Sequence, residues 1–188
     1  SAKSMVLLST QTASSSATIS FTSGIDSTYK EYIFKFINIH PATNDAIFQF
    51  GFRDGSTAYD ATKTSTYFYA QQHIIWDTGA TLAYDTSRDL AQSTSPHKFT
   101  TNMANSTQSA GGNNTPGANF AGEFILYNPA STTYVKHWTS KYSYNFYLAG
   151  ARNGFSAGYV NTTSAVNAIK FYSSSGNIEG TIKMWGIK

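Results

Sequence analysis

A chain of 188 residues is long enough for one domain with a sizeable core, and 13 Phe, 13 Tyr and 3 Trp supply the apolar bulk for it. Charged residues make up only 12%, about half the usual share, while Ser and Thr add roughly a quarter, a balance of aromatic and β-branched residues that favours strands. The net charge of +3 comes from scattered Lys and Arg and leaves no nucleic-acid footprint; zero cysteines exclude disulfides, thiolate metal sites and cysteine nucleophiles, and no run of eighteen apolar residues can span a membrane as a helix.

In chain order, residues 5–9 predict a short edge strand and 11–16 (QTASSS) a small-residue linker, so residues 1–16 are expected as an N-terminal arm on a single β-domain of residues 17–188. No small-residue cleavage signature follows the apolar run 5–8, so no secretory signal is expected. Residues 17–22 (ATISFT) alternate as a strand. After a turn at 23–27 comes residues 29–40 (YKEYIFKFINIH), with Tyr32, Phe34 and Phe36 on one face and Ile33, Ile37 and Ile39 on the other. Apolar residues on both faces predict a core strand covered above and below, and its length predicts a bend or a passage between sheets.

Pro41 stops that strand, and 46–53 (AIFQFGFR) is expected to pair with it as a hairpin, with Phe48, Phe50 and Phe52 on one face. A turn at 54–56 leads to a long strand over 64–76, with shorter ones expected at 81–84 and 98–103. Residues 104–121 hold three glycines and almost no large apolar residue, which predicts a long projecting loop. The segments 122–129 and 132–140 read as a hairpin around Pro129, 142–148 and 155–161 as two further strands, and 166–172 with 180–187 as a terminal hairpin. Residues 34–43 (FKFINIHPAT) and 124–132 (FILYNPAST) share corner chemistry without forming a repeat. With no helical periodicity, eight to ten strands predict an all-β, two-sheet antiparallel β-sandwich, jelly-roll-like.

Motifs that suggest catalysis meet plainer explanations. Gly154-Phe155-Ser156-Ala157-Gly158 fits G-x-S-x-G, but a strand continues after Ser156 and no His follows His137, so a glycine-flanked β corner is the better reading. Asp77-Thr78-Gly79 resembles one half of an aspartic protease site and lacks its second copy. His40, His73, His97 and His137 are too far apart in sequence for a metal motif; Glu31 and Glu123 are expected at strand starts and Glu179 beside a turn; residues 54–60 lack the alternating oxygens of a calcium loop. The densest basic patch, Lys136, His137 and Lys141, is small. No catalytic, cofactor-binding or metal residue is assigned, and an enzyme is not expected.

A surface of Ser, Thr, Asn and Tyr suits a protein packed among copies of itself or partners, and equally a glycan-binding face. The blocks at 7–43 (LLSTQTASSSATISFTSGIDSTYKEYIFKFINIHPAT), 89–94 (DLAQST), 128–137 (NPASTTYVKH) and 160–188 (VNTTSAVNAIKFYSSSGNIEGTIKMWGIK) resemble a β-rich structural module of tailed-bacteriophage virions, of the type found in phages of marine and cyanobacterial hosts. The resemblance covers most of the chain, is weakest over 93–121, and transfers no site. It implies a jelly-roll virion protein that assembles with copies of itself, as a homo-oligomer, and with other virion proteins, without cofactor, nucleic acid or membrane. Lacking a coiled coil or shaft in these residues, the chain is expected to be a capsid decoration, or cement, protein that clamps subunits through residues 1–16 and 104–121. The alternative is a receptor- or glycan-binding module of a tail appendage or head fibre.

Overall fold

The computed structural model describes residues 4–73, 80–105, 109–110, 113–114, 117–146 and 150–188. Its strands are β1 (Met5–Ser16), β2 (Thr18–Phe21), β3 (Glu31–Pro41), β4 (Phe48–Arg53), β5 (Lys63–His73), β6 (Thr81–Tyr84), β7 (Leu90–Ser93), β8 (His97–Lys98), β9 (Ser109–Ala110), β10 (Asn113–Asn114), β11 (Phe120–Tyr127), β12 (Lys136–Phe146), β13 (Gly150–Val160), β14 (Ala168–Ser173) and β15 (Ile178–Ile187). Among the described residues the one helical element is a 3-10 turn at Thr86–Arg88, capped by Asp85, so no helix is long and apolar enough to cross a membrane.

A large antiparallel sheet runs β1-β15-β3-β11-β12-β13-β5-β6, with β7 also on β5, and faces a small sheet ordered β2-β14-β4-β8. The pattern becomes clear when β1, β2, β3, β4, β8, β11, β14 and β15 are counted 1 to 8. They form sheets 1-8-3-6 and 2-7-4-5, the two nested Greek keys of a jelly roll. Onto this kernel β12, β13, β5, β6 and β7 are added, widening one sheet only. The expected sandwich is therefore present, with one broad sheet and one narrow one.

The core lies between the sheets and is aromatic. Phe34 and Phe36 of β3 meet Phe171 of β14 at 5.6 and 5.2 Å between ring centroids, and Phe50 of β4 meets Trp138 of β12 at 5.1 Å edge-on. Each such pair adds about 0.5–1.5 kcal/mol beyond the area it buries. The narrow sheet reaches β12 through Phe50; beyond that its last strand, β8, and the residues that follow it to 104 lie over the added strands. Tyr142 donates its hydroxyl to the Phe99 carbonyl, Arg88 Nη1 donates to the same carbonyl at 3.1 Å, and Arg152 Nη1 donates to Thr101 Oγ1 at 2.7 Å.

Several expectations change here. Residues 5–16 are no arm: Met5–Ser16 is a full edge strand, paired with β15 from Met5 opposite Ile187 to Ser16 opposite Ile178. Backbone pairing needs no apolar alternation, which is why QTASSS reads as a linker in sequence and folds as a strand. The segment 46–53 does not pair with β3. Its three phenylalanines do share one buried face, but β4 crosses to the narrow sheet and pairs with β14 and β8, while β3 lies between β15 and β11. The two C-terminal strands likewise belong to opposite sheets, and the described residues of 132–148 hold a single strand, β12, rather than two.

Strand β3 is buried on one face only. Tyr32, Phe34 and Phe36 are in the core, Ile33 is half-buried and Ile37 is 40% exposed. A bulge at Asn38, whose φ is +53°, bends the strand without moving it to the other sheet and turns Ile39 inward. The hairpin expected around Pro129 is present as β11 and β12. The loop expected at 104–121 falls partly outside the described residues; within it β9 pairs with β10, and Ala118 and Phe120 are buried.

Candidate binding face

Ser156, the would-be nucleophile, sits in the middle of β13 facing the core, with its hydroxyl 2.6 Å from that of Ser140. The flanking glycines have a packing cause. Gly150, Gly154 and Gly158 stand opposite Phe146, Tyr142 and Trp138 of β12, and a Cβ at any of the three would come within 3.0 Å of the facing ring. G-x-S-x-G here is a comb of glycines beneath a comb of rings, with no strand-to-helix elbow. Asp77 lies outside the described residues.

The histidines are dispersed. His40 Nε2 is 3.4 Å from Glu179, His73 lies edge-on to Phe146, His137 lies beside Tyr159 on the outer face, and His97 is buried among Phe50, Phe99 and Trp138. Among the described residues no three His, Cys, Asp or Glu side chains gather as metal ligands. The basic patch is split, because Lys136 is buried and donates to the carbonyls of Ser131, Tyr134 and Thr162, while His137 lies on the opposite face of the strand. Glu123 lies mid-strand in β11, not at a strand start.

Lys63 is fully buried. Its Nζ donates to the Ala61 carbonyl at 2.6 Å, and burial pulls its pKa down to about 8 against the pull of Asp60 and Asp54, so the 54–60 loop acts on this lysine electrostatically. An amine whose folded pKa is lowered leaves the unfolded chain holding more protons between pH 8 and 10.5, so stability rises with pH through that window. Lys63→Met is expected to raise stability at pH 7 by about 2 kcal/mol, with the lost hydrogen bond set against the relieved burial penalty. Urea melts at pH 7 and 9.5 check this: the advantage should shrink by most of its value at the higher pH.

The outer face of the large sheet is where polar, charged and apolar groups meet solvent. Inter-strand register sorts it into rows. One row runs Leu7, Trp185, Ile33, Ile125, Thr139, Ala157, Thr66 across seven strands; beside it Met5 stands opposite Ile187. The kernel end of this face is therefore apolar, with Leu7 46% and Met5 44% exposed. A second row runs Lys183, Lys35, Glu123, Lys141, Phe155, Phe68, Tyr84. Lys35 and Glu123 form an ion pair, and Phe68 and Phe155 stack at 4.9 Å with planes 9° apart.

Two grooves flank this second row and share Glu123, Lys141 and Phe155. One, of about 420 Å³, reaches Lys35, Ser143 and Asn153; the other, of about 290 Å³, reaches Ile125, Thr139 and Thr66. They lie over β11, β12 and β13, where the added strands join the kernel. Lys35 and Glu123 each interrupt an apolar strand in sequence, which is the one signal that marks them; register alone brings them together.

No known family matches the chain, and no curated protein does. Among solved structures, an aerolysin-like protein of Bombina maxima aligns over 93% of this chain and 91% of that one at 8% identity, with a TM-score of 0.14, a likeness that carries no argument.

Proposed function

We propose that this protein is a bacteriophage virion structural protein, a capsid decoration or cement protein that stabilises the head by bridging subunits. The observation that carries the reading is the apolar kernel end of the outer face, where Met5, Leu7, Ile33, Ile125, Trp185 and Ile187 lie side by side next to an edge strand of twelve residues. A long edge strand with exposed Met5, Val6 and Leu7 is a template for pairing with another chain unless something covers it. The low charge of the chain and its resemblance to virion modules point the same way. Area buried at such joints adds to the free energy needed to separate capsid subunits.

In sedimentation with expanded empty capsids, the wild-type protein is expected to pellet with the particles. Leu7→Lys with Trp185→Lys should leave it in the supernatant while the far-ultraviolet circular dichroism stays that of the wild type. A wild-type protein that stays monomeric and never pellets with capsids overturns the reading.

A second reading, a glycan-binding module of a tail appendage or head fibre, is favoured by the two grooves farther along the same face, the smaller of which shares Ile125 with the apolar patch.

A further inference from the structure

Resting on that second reading, we infer that the grooves along the Lys183 to Tyr84 row take an acidic oligosaccharide, a chain of uronate or otherwise anionic sugars. Charge is the first ground. The row holds three ammonium groups, Lys183, Lys35 and Lys141, and one carboxylate, Glu123, which is already paired with Lys35. Among the residues lining the two grooves, Glu123 is the one acid. A ligand reaching both grooves meets Lys35 and Lys141 on either side of Glu123, a net positive strip three strands wide that Lys183 extends by one strand beyond the grooves, and neighbouring strands lie about 4.8 Å apart.

The second ground is the mixture of groups around that strip. Ser143 and Asn153 stand opposite each other on β12 and β13 at the larger groove, exposed, with hydroxyl and amide turned outward to sugar hydroxyls. Thr139 and Thr66 supply hydroxyls at the smaller one. Phe155 lines both grooves and offers apolar ring surface to the C–H face of a sugar, while Lys141 beside it is placed for a carboxylate. A nucleic acid fits less well: successive bases need a series of open ring faces, whereas Phe68 and Phe155 are stacked on each other and keep one outer face each, which suffices for a single sugar. The site is built where strands β12, β13 and β5 extend the jelly-roll kernel, so the added strands create the grooves as well as widening the sheet.

Calorimetric titration of the full chain with tetragalacturonate, its methyl ester and a single-stranded DNA octamer tests this. Tetragalacturonate is expected to bind, to weaken as salt rises, and to bind at least about tenfold more tightly than the uncharged ester. Lys141→Gln, on the exposed face, should cost about tenfold for the acid and leave the ester unaffected, and Phe155→Ala should weaken both. Equal binding of acid and ester overturns the inference and leaves the glycan reading standing. Binding of neither overturns both, and DNA binding tighter than tetragalacturonate overturns the inference in favour of a nucleic acid.

Discussion

Unfolding by urea at pH 4.5 is expected to cost about 3 kcal/mol less than at pH 7.5, with His97 the main cause. The imidazole is fully buried against Phe50, Phe99 and Trp138, its ring centroid 4.6 Å from that of Trp138, and Nδ1 lies 3.1 Å from Ser65 Oγ. Burial first, then the nearby Arg88 and Lys63 charges, push its pKa down from 6.5 to about 3. Between those values the unfolded chain holds a proton that the folded one refuses, so stability falls as pH drops below 6.5 and the loss is complete near pH 3. His97→Asn, which takes no proton, should be less stable than the wild type at pH 7.5 and should lose much less on going to pH 4.5. If the variant shows the same loss as the wild type, His97 is not its source.

The same residue shows where sequence reading stops. His97 stands between Pro96 and Lys98 in a polar stretch, and nothing local announces that it enters an aromatic core. Lys63, Lys136, Arg88 and Arg152 are similar cases: all four are buried, and in sequence each reads as surface charge. Their burial follows from the breadth of the large sheet. The strands added beyond the kernel outrun the narrow sheet, and the segment that covers them is too short and polar to do so with apolar groups alone. Arg88 lies 4.4 Å over the Tyr67 ring, and Arg152 lies between Tyr69 and Phe146 at 4.3 and 4.8 Å, so cation–π contact replaces aliphatic packing.

Alternation reports which residues share a face, and it did so for Phe48, Phe50 and Phe52 and for Tyr32, Phe34 and Phe36. It is silent on which sheet a strand joins. That choice is made by corners: after Pro41, a turn with Asp45 at a φ of +65° carries the chain across the sandwich, so β4 leaves β3 for β14. Alternation also fails past a bulge, which is why Ile37 and Ile39, two residues apart, end on opposite faces. The candidate face was legible only as composition. Its rows depend on seven strands brought into register from distant parts of the chain, and a cross-strand neighbour has no sequence signature.

The glycine comb of β13 carries the other large effect. Gly154→Ala is expected to cost about 3 kcal/mol, the upper part of the range for overpacking, because the three atoms nearest to the new Cβ all belong to the Tyr142 ring. That ring cannot swing aside freely: Tyr142 is buried, its hydroxyl donates to the Phe99 carbonyl, and its ring packs on Phe120 at 4.9 Å. Gly158 makes a less clean test, since a Cβ there would also meet the backbone of β5. A double-mutant cycle with Tyr142→Ala separates ring from backbone. Tyr142→Ala alone should be costly, yet in its background Gly154→Ala should cost about 1 kcal/mol, leaving a coupling of about 2 kcal/mol between the two sites. No coupling would mean that the glycine answers to strand geometry and not to the ring, and the packing account of G-x-S-x-G would fall with it. Ser156→Ala is the control: it removes the Ser140 hydrogen bond, leaves the comb intact, and should cost about 1 kcal/mol.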